Sequence, residues 1–186
     1  MSKHRYVALL RGINVGGNNV IKMVDLRACF EALGLSKVET YIQSGNVVFS
    51  SKSASKARLE TTIEAGLSDT FGYAARIVLA SAEELARTVA QAPPGFGTQA
   101  ERYRYDVLFV KAPLSSELAL AQLTTTPGVD TAHAGDHAVY FRRLISKATK
   151  SRLVKLIQMP IYKSITVRNW NTTTKLLTMA EHPAED

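Results

Sequence analysis

Along the first half of the chain, segments with the hydrophobic spacing of a strand alternate with segments that have the spacing of a helix. Short apolar or β-branched runs are typical of strands, whereas apolar residues three or four positions apart are typical of helices. On these criteria we predict a strand, a helix, two strands, a helix and a strand, at 6–10, 23–33, 38–42, 47–50, 59–67 and 76–79. This order is βαββαβ, which is that of the split βαβ or ferredoxin-like arrangement.

The same order returns in the second half, after a helix at 85–89 and a proline- and glycine-rich connection at 92–97. Here the predicted elements are a strand, a helix, a hairpin, a helical face and a strand, at 105–110, 115–121, 129–141, 153–157 and 165–167. A terminal helix then starts at Asn169 or Asn171, since asparagine is a favourable N-cap. The repetition is one of element order, because the two halves share no convincing residue-level repeat.

We therefore predict an α+β protein made of two ferredoxin-like α-β plaits, each with helices packed on one face of an antiparallel sheet. The first plait spans 1–80, a helix and connection span 81–103, and the second plait with its C-terminal helix spans 104–186. The bare sheet faces are left for pairing, ligand binding or cover by the additional helices.

Composition places the chain among soluble, cytoplasmic proteins. Its 186 residues, 46% of them hydrophobic, suffice for a packed core, and the single cysteine, Cys29, excludes an intramolecular disulfide. No apolar stretch reaches the roughly 20 residues of a membrane span, and the run at 6–10 is too short for a signal-peptide core. We expect a reducing location and no membrane partner.

Basic residues are concentrated in two segments. The chain carries a net charge of +7, and the segment 137–180 contains nine basic residues and no Asp or Glu. The N-terminal segment also has four basic residues before its first acid, Asp25. If the two segments share a face, their positive field attracts phosphates or nucleic acid. The alternative is a solvated basic surface without a partner.

A loop rich in glycine and asparagine joins the first strand to the first helix. Glycines let the backbone approach a ligand, and a helix start offers unpaired N–H groups, so such a junction is typical of anion sites. The loop lacks the established phosphate-binding patterns, and Asp25 in the helix's first turn opposes a second negative charge. A purely conformational loop with positive φ angles is the alternative. The candidate ligand-binding residues are Arg11, Gly12, Asn14, Gly16, Gly17 and Asn18.

Two further polar segments are candidate sites. The predicted hairpin turn places Gln43, Ser44 and Asn46 at its tip, although a tight turn by itself favours serine, glycine and asparagine. The strand-to-helix junction near the C-terminus supplies charge, caps and one large ring through Arg168, Asn169, Trp170 and Lys175. Trp170 either packs in the core or stacks on a ligand ring.

No catalytic residue is nominated from the sequence. His133 and His137 flank a predicted turn, but no third metal ligand is evident beside them. Cys29 belongs to the apolar face of a helix and has no recognisable base nearby. Paired carboxylates and a Ser-His-Asp set are not assignable either. We therefore expect neither a metal nor a cofactor.

Three segments together resemble a bacterial family of unknown function. They are LLRGINVGG at 9–17, TYIQSGNVVF at 40–49, and RNWNT followed by Lys175-Leu176 near the C-terminus. These segments are similar to the domain-of-unknown-function family 1697, and the likeness covers essentially the whole chain. The resemblance implies a pair of ferredoxin-like plaits and brings no activity, substrate or cofactor with it. Relatives often carry lysine where Asn18 stands and proline where Lys22 stands.

These observations favour a binding module over an enzyme. We expect a non-catalytic module for a phosphorylated small molecule, a nucleotide or RNA, with the first loop, the hairpin turn and the C-terminal junction folded into one electropositive pocket. One alternative is an enzyme acting on a small phosphorylated or acidic substrate. Another is an interaction protein whose open sheets drive the formation of a homo-oligomer.

Overall fold

The computed structural model describes residues 4–14, 16–17 and 19–183, and two four-stranded antiparallel sheets organise them. The first sheet has the order β2-β3-β1-β4, with β1 (His4–Leu10), β2 (Ser36–Tyr41), β3 (Asn46–Ser51) and β4 (Ile77–Ser81). Its two helices are α1 (Met23–Ala32) and α2 (Lys56–Phe71). The predicted ferredoxin-like plait is confirmed for this half of the chain.

The apolar positions that predict α1 and α2 also fill the core of the first plait. Leu26 and Phe30 of α1 and Ile63 of α2 are fully buried in one cluster with inward-facing strand residues. Phe30 meets the β3 residue Phe49 edge to face, with ring centroids 5.5 Å apart. The helical period therefore decides which helix face packs on the sheet.

The second sheet repeats the topology with the order β6-β7-β5-β8. Its strands are β5 (Tyr103–Val110), β6 (Asp130–Ala134), β7 (Ala138–Leu144) and β8 (Ile165–Asn169). The helix between β5 and β6 is α4 (Ser116–Gln122), and Ser115 caps it by accepting from the backbone N–H of Leu118. Three short 3-10 helices, Ile145–Lys150, Arg152–Gln158 and Pro160–Ser164, connect β7 to β8 in place of a second α-helix.

The 3-10 geometry changes one detail of the prediction for 153–157. Leu153 and Leu156 are buried three positions apart, which fits the three-residue turn, but Ile157 is 66% exposed and does not belong to the core. Pro160 has no N–H to continue the preceding helix, and Lys147 has non-helical backbone angles. These residues therefore prevent one continuous α-helix from forming on either side of the segment.

Two compact units divide the chain, and both boundaries fall inside helices. The second unit is Glu84–Lys175, and the first contains the chain up to Glu83 together with the residues from Leu176 onward. The boundaries lie in α3 (Ala82–Ala90) and α5 (Trp170–Glu181). The predicted division places the whole terminal helix in the second plait. In the structure, the part of α5 from Leu176 onward belongs to the same unit as the first sheet.

A hydrogen bond accounts for part of this grouping. Arg5 of β1 donates from Nη2 to the carbonyl oxygen of Met179, at 3.1 Å, and pairs with Glu39 of β2 through the same nitrogen. Among the described residues, no helix has the length and apolar content needed to cross a membrane.

Candidate functional site

The first loop and the hairpin turn, both predicted as ligand-binding, lie side by side in the first unit. Asn14 donates from Nδ2 to the carbonyl oxygens of Ile21, at 3.0 Å, and Gln43, at 2.8 Å. Its Oδ1 accepts from the N–H of Ile21 at 2.8 Å. Gly45 lies so close to β1 that a Cβ there would stand 2.8 Å from the Cβ of Leu10. The Asn14 amide thus joins the two segments.

Candidate residues of the first unit also determine the local conformation of the hairpin turn and of the first loop. Asn46 is fully buried, and its Nδ2 donates to the Tyr41 carbonyl at 2.9 Å and to the Ser44 hydroxyl at 3.0 Å. Positive φ angles occur at Gly12, Asn14, Gly16 and Gly17. The first observation agrees with the conformational alternative for the turn, and the second with that for the first loop.

The remaining candidates of the first unit differ in solvent exposure. Gln43 and Ser44 are exposed at the turn, Arg11 is half-buried, and Asn18 lies outside the described residues. A ligand-binding role for Arg11, Gln43 and Ser44 stays a prediction.

A cavity of about 280 Å³ opens in the second unit, at the edge where β5 begins and β8 ends. Asn169 and Trp170, two of the four predicted junction residues, line it, and Asn171 lines it beside them. Side chains that the sequence reasoning missed complete its polar and aromatic lining, namely Tyr103, Arg104, Tyr105, Asp106 and Arg143.

The other two junction residues lie outside this lining. Arg168 donates from Nη1 to the carbonyl of Val167 at 2.9 Å, and the alternation of β8 directs it to the sheet face opposite Asn169. Lys175 is exposed on α5, four residues after Asn171 and therefore on the same side of the helix. Lys175 extends the positive charge of this side by one helical turn.

Two arginines of the cavity stand opposite each other across the β5–β7 ladder. The register pairs Arg104 with Arg143, and residues paired in this way have their Cβ atoms about 5 Å apart on one sheet face. Like charges at such a pair are destabilising without a counter-charge. Asp106, two residues along β5 on the same face, supplies one, since its Oδ2 lies 3.2 Å from Nε of Arg143. Arg104 remains as excess positive charge.

Asp106 is the most unusual polar group of the cavity. Its residue exposure is 8%, and neither its Oδ2 nor Nε of Arg143 makes a hydrogen bond of good geometry among the described residues, although the two are at ion-pair distance. Burial raises the pKa of the Asp106 carboxyl, and the positive charges of Arg143 and Arg104 oppose this rise. A buried carboxyl of raised pKa beside a charge partner in a cavity is typical of a functional group.

A sequence signal for Asp106 did exist. An acid at its position interrupts the otherwise apolar and aromatic run of β5, whose residues from Tyr105 to Phe109 are all buried. Aspartate is rarely buried to this extent unless it is paired or functional.

An aromatic group forms one wall of the cavity. The Trp170 ring meets the Phe96 ring edge to face, with centroids 5.2 Å apart. The backbone of Gly97, with φ of +89°, passes so close that a Cβ there would overlap the indole. Trp170 is half-buried, so these neighbours hold one side of the ring while another part of the residue lines the cavity. Core packing therefore applies to Trp170 in part, and stacking on a ligand ring stays a prediction.

The start of α5 adjoins the same cavity. The Oδ1 of Asn169 accepts from the backbone N–H of Thr172 at 2.8 Å, which confirms Asn169 as the helix cap. Trp170 and Asn171 form the first turn and line the cavity. The positive end of the helix macrodipole therefore adds to the charge of the arginine pair.

His137, one of the two histidines considered as metal ligands, makes other contacts. Nε2 of His137 lies 3.1 Å from a guanidinium nitrogen of Arg87, and its Nδ1 lies 4.0 Å from a carboxylate oxygen of Glu84. Both partners are on α3. Across the described parts of the chain, no group of three or more His, Cys, Asp or Glu residues is arranged to hold a metal ion.

Comparisons with known proteins identify a family and a structural relative. Residues 3–140 match the model of the family described as Protein of unknown function (DUF1697). The structure is similar to that of the conserved bacterial protein SP0830 from Streptococcus pneumoniae, with a TM-score of 0.83 and 30% sequence identity over 96% of this chain and 99% of that chain. No curated protein matches the chain.

Proposed function

The chain belongs to the DUF1697 family of proteins of unknown function, and on that premise we propose that its second unit binds a phosphorylated compound with an aromatic ring, of the nucleotide class. One observation carries the proposal. The arginine pair, the first turn of α5 and the indole of Trp170 meet at a single cavity. The proposal rests on the second unit alone.

The charge of the cavity supports an anionic ligand. The lining holds two arginines, Arg104 and Arg143, and one aspartate, Asp106, so it carries an excess of one positive charge beside the N-terminal end of α5. A phosphate held there accepts charge-assisted hydrogen bonds from a guanidinium and from helix N–H groups. It also removes the repulsion between the paired arginines.

The size and lining of the cavity support a small planar group beside the phosphate. At about 280 Å³ the space lies just below the range of roughly 300–1,000 Å³ that is common for small-molecule pockets. An indole side chain in the wall offers a face on which a base can stack. If the natural ligand is RNA, the cavity holds one nucleotide of a single strand.

Fluorescence tests this proposal directly, because Trp170 is the only tryptophan of the chain. We expect nucleoside monophosphates to change its emission in a saturable way, and unphosphorylated nucleosides to bind more weakly. Arg104→Ala should weaken binding by about tenfold or more, the usual cost of one charged hydrogen bond. Arg152→Ala, which removes an exposed arginine outside the cavity lining, is the matched control. The absence of a saturable response to any nucleotide would refute the proposal.

The predicted participation of the first loop has its own test. If Arg11 contacts the same ligand, Arg11→Ala weakens nucleotide binding as Arg104→Ala does. An unchanged affinity in the Arg11→Ala protein limits the site to the second unit.

Asp106 favours one second candidate function, an enzyme acting on a small phosphorylated or acidic substrate. Burial raises the pKa of this carboxyl, and groups tuned in this way serve as general acids and bases. Phosphorus NMR of the protein with nucleotides and phosphorylated metabolites would reveal turnover. Product formation that Asp106→Asn abolishes, with binding retained, supports the enzyme. Binding without turnover supports the module.

A further inference from the structure

We infer that the ligand of the second unit is a single strand of at least two nucleotides, and that Arg142 binds its second phosphate. This inference rests on the proposed function, because it extends the same site by one phosphate group. It starts from a second cavity of the same unit, which is smaller than the first and measures about 90 Å³. The loop 93–96 forms one wall of the second cavity, and Thr131, His133 and Arg142 form the other.

The second cavity is basic and offers hydrogen-bond donors. The register places Arg142 of β7 directly opposite Thr131 of β6, and His133 follows two residues later on the same face of β6. A guanidinium, a hydroxyl and an imidazole can all donate to phosphate oxygens. No acidic side chain of the described residues lines the cavity. Its volume is that of about three water molecules, at roughly 30 Å³ each, which suits a phosphate group but not a base.

Arg142 lacks the counter-charge that its neighbour in the sequence has. Nε of Arg143 lies 3.2 Å from a carboxylate oxygen of Asp106. The guanidinium of Arg142 instead lies over the ring of Tyr103, 4.5 Å from the centroid, and makes no salt bridge or hydrogen bond with the residues that the structure describes. Because Arg142 is half-buried, water solvates it less than it solvates a fully exposed arginine, and an anion that enters this cavity is attracted more strongly.

The second cavity adjoins the first at two points. Tyr105, which lines the first cavity, is paired with Arg142 in the β5–β7 register. Gly97 lines the first cavity, and the residue before it, Phe96, lines the second. The Cβ atoms of a cross-strand pair are about 5 Å apart. A ligand that fills the first cavity therefore needs only a short extension to reach Arg142.

The boundary between the two cavities is also basic. Tyr103 lines the first cavity, and the guanidinium of Arg102 lies 5.2 Å from its ring centroid, in addition to that of Arg142. Positive charge interleaved with aromatic rings is typical of surfaces that bind single-stranded nucleic acid. A single strand also fits the two volumes, because it carries one phosphate per nucleotide. The first cavity then takes the terminal nucleotide, and the second takes the phosphate that links it to the next one.

The first test needs no variant and uses a 5′-phosphorylated dinucleotide of adenosine. A second version of this dinucleotide carries an uncharged methylphosphonate in place of the linking phosphate and is otherwise the same. In Trp170 fluorescence titrations of the wild-type protein, the charged linkage should give an affinity about tenfold or more above that of the uncharged one. Equal affinities overturn the inference but leave the proposed nucleotide site standing. No binding of any nucleotide removes the proposed function as well.

The second test assigns the linking phosphate to the second cavity. Arg142→Gln removes the charge but keeps a side chain of some length beside Tyr103. We expect this variant to bind the two dinucleotides with nearly equal affinity. Arg152→Gln, the same change at an exposed arginine outside both cavity linings, is the control and should keep the wild-type difference. A tenfold preference for the charged linkage that survives in Arg142→Gln overturns the inference.

Discussion

At the residue scale, two buried tyrosine hydroxyls differ in whether they have a hydrogen-bond partner. The Tyr140 hydroxyl donates to the Thr88 carbonyl at 2.5 Å. The Tyr73 hydroxyl is buried without a hydrogen-bond partner among the residues that the structure describes. Burial raises the pKa of both tyrosines to about 12, so both stay protonated at physiological pH.

Removal of each hydroxyl should therefore have a different outcome. We expect Tyr140→Phe to lower the free energy of unfolding by about 1–2 kcal/mol, because it leaves the Thr88 carbonyl unpaired. Tyr73→Phe should leave stability unchanged or raise it by up to about 1 kcal/mol, because it removes an unsatisfied group. Urea denaturation measures both values, and equal losses in the two variants would contradict this account.

Asp106 provides a prediction of pH dependence. Its pKa in the folded protein is raised above the ordinary value of 3.8, chiefly by burial. The folded state then holds the proton more firmly than the unfolded state, so the stabilisation is greatest at low pH and is lost as pH rises through the folded pKa. As pH rises from about 3 to 7, we therefore expect the Asp106→Asn protein to gain unfolding free energy relative to wild type.

Denaturation at a series of pH values measures this difference. A change in the opposite direction for Asp106→Asn would mean that Arg143 outweighs burial.

At the scale of elements, the connection between β1 and α1 depends on one amide. The side chain of Asn14 makes three hydrogen bonds, two with Ile21 of the same connection and one with Gln43 of the β2–β3 turn. The side chain of Asn19 makes one, to the Gly12 carbonyl at 2.8 Å. Both asparagines have positive φ, at 53° and 46°. An alanine at either position thus carries a similar backbone strain.

The matched pair separates hydrogen bonding from strain. We expect Asn14→Ala to lower the free energy of unfolding by about 2 kcal/mol more than Asn19→Ala, at about 1 kcal/mol for each additional hydrogen bond. Thermal or urea denaturation of both variants checks this. Similar losses would show that backbone strain at positive φ, and not the loss of hydrogen bonds, accounts for the cost of both substitutions.

Element types were largely predictable because their signals are local. The spacing of Leu59, Ile63 and Leu67 predicts α2, and all three side chains are buried in it. The 3-10 segments at 145–164 were less predictable, because their backbone angles depend on how Leu153 and Leu156 meet the second core. A short helical period does not by itself separate 3-10 from α geometry.

At the scale of the whole molecule, the net charge of +7 bears on association with anions. A positive field strengthens the binding of phosphates at low ionic strength and is screened as salt is added. We expect the affinity for nucleoside monophosphates to fall several-fold between about 50 and 500 mM salt, where the Debye length shortens from roughly 14 to 4 Å. Nucleosides without phosphate should show little change. A salt-independent nucleotide affinity would argue against electrostatic attraction as a driving force.

The candidate site was only partly predictable, and the individual residues show why. Asn169 and Trp170 stand at a visible strand-to-helix junction, and both line the cavity. Arg104 and Arg143 were not assigned, because they lie 39 positions apart in the chain and become neighbours only through the register of β5 with β7. Arg168, despite its place in the same junction, lies on the other sheet face.

By itself the sequence determined the order of strands and helices, the α+β class, the excess of positive charge and the capped start of the last helix. These properties follow from side-chain periodicity and from residues close together in the chain. The tertiary structure alone decided that Asp106 is buried beside Arg143 and that Asn46 holds a turn. Such outcomes depend on strand register and on the withdrawal of water from particular polar atoms, which only distant segments packed together can bring about.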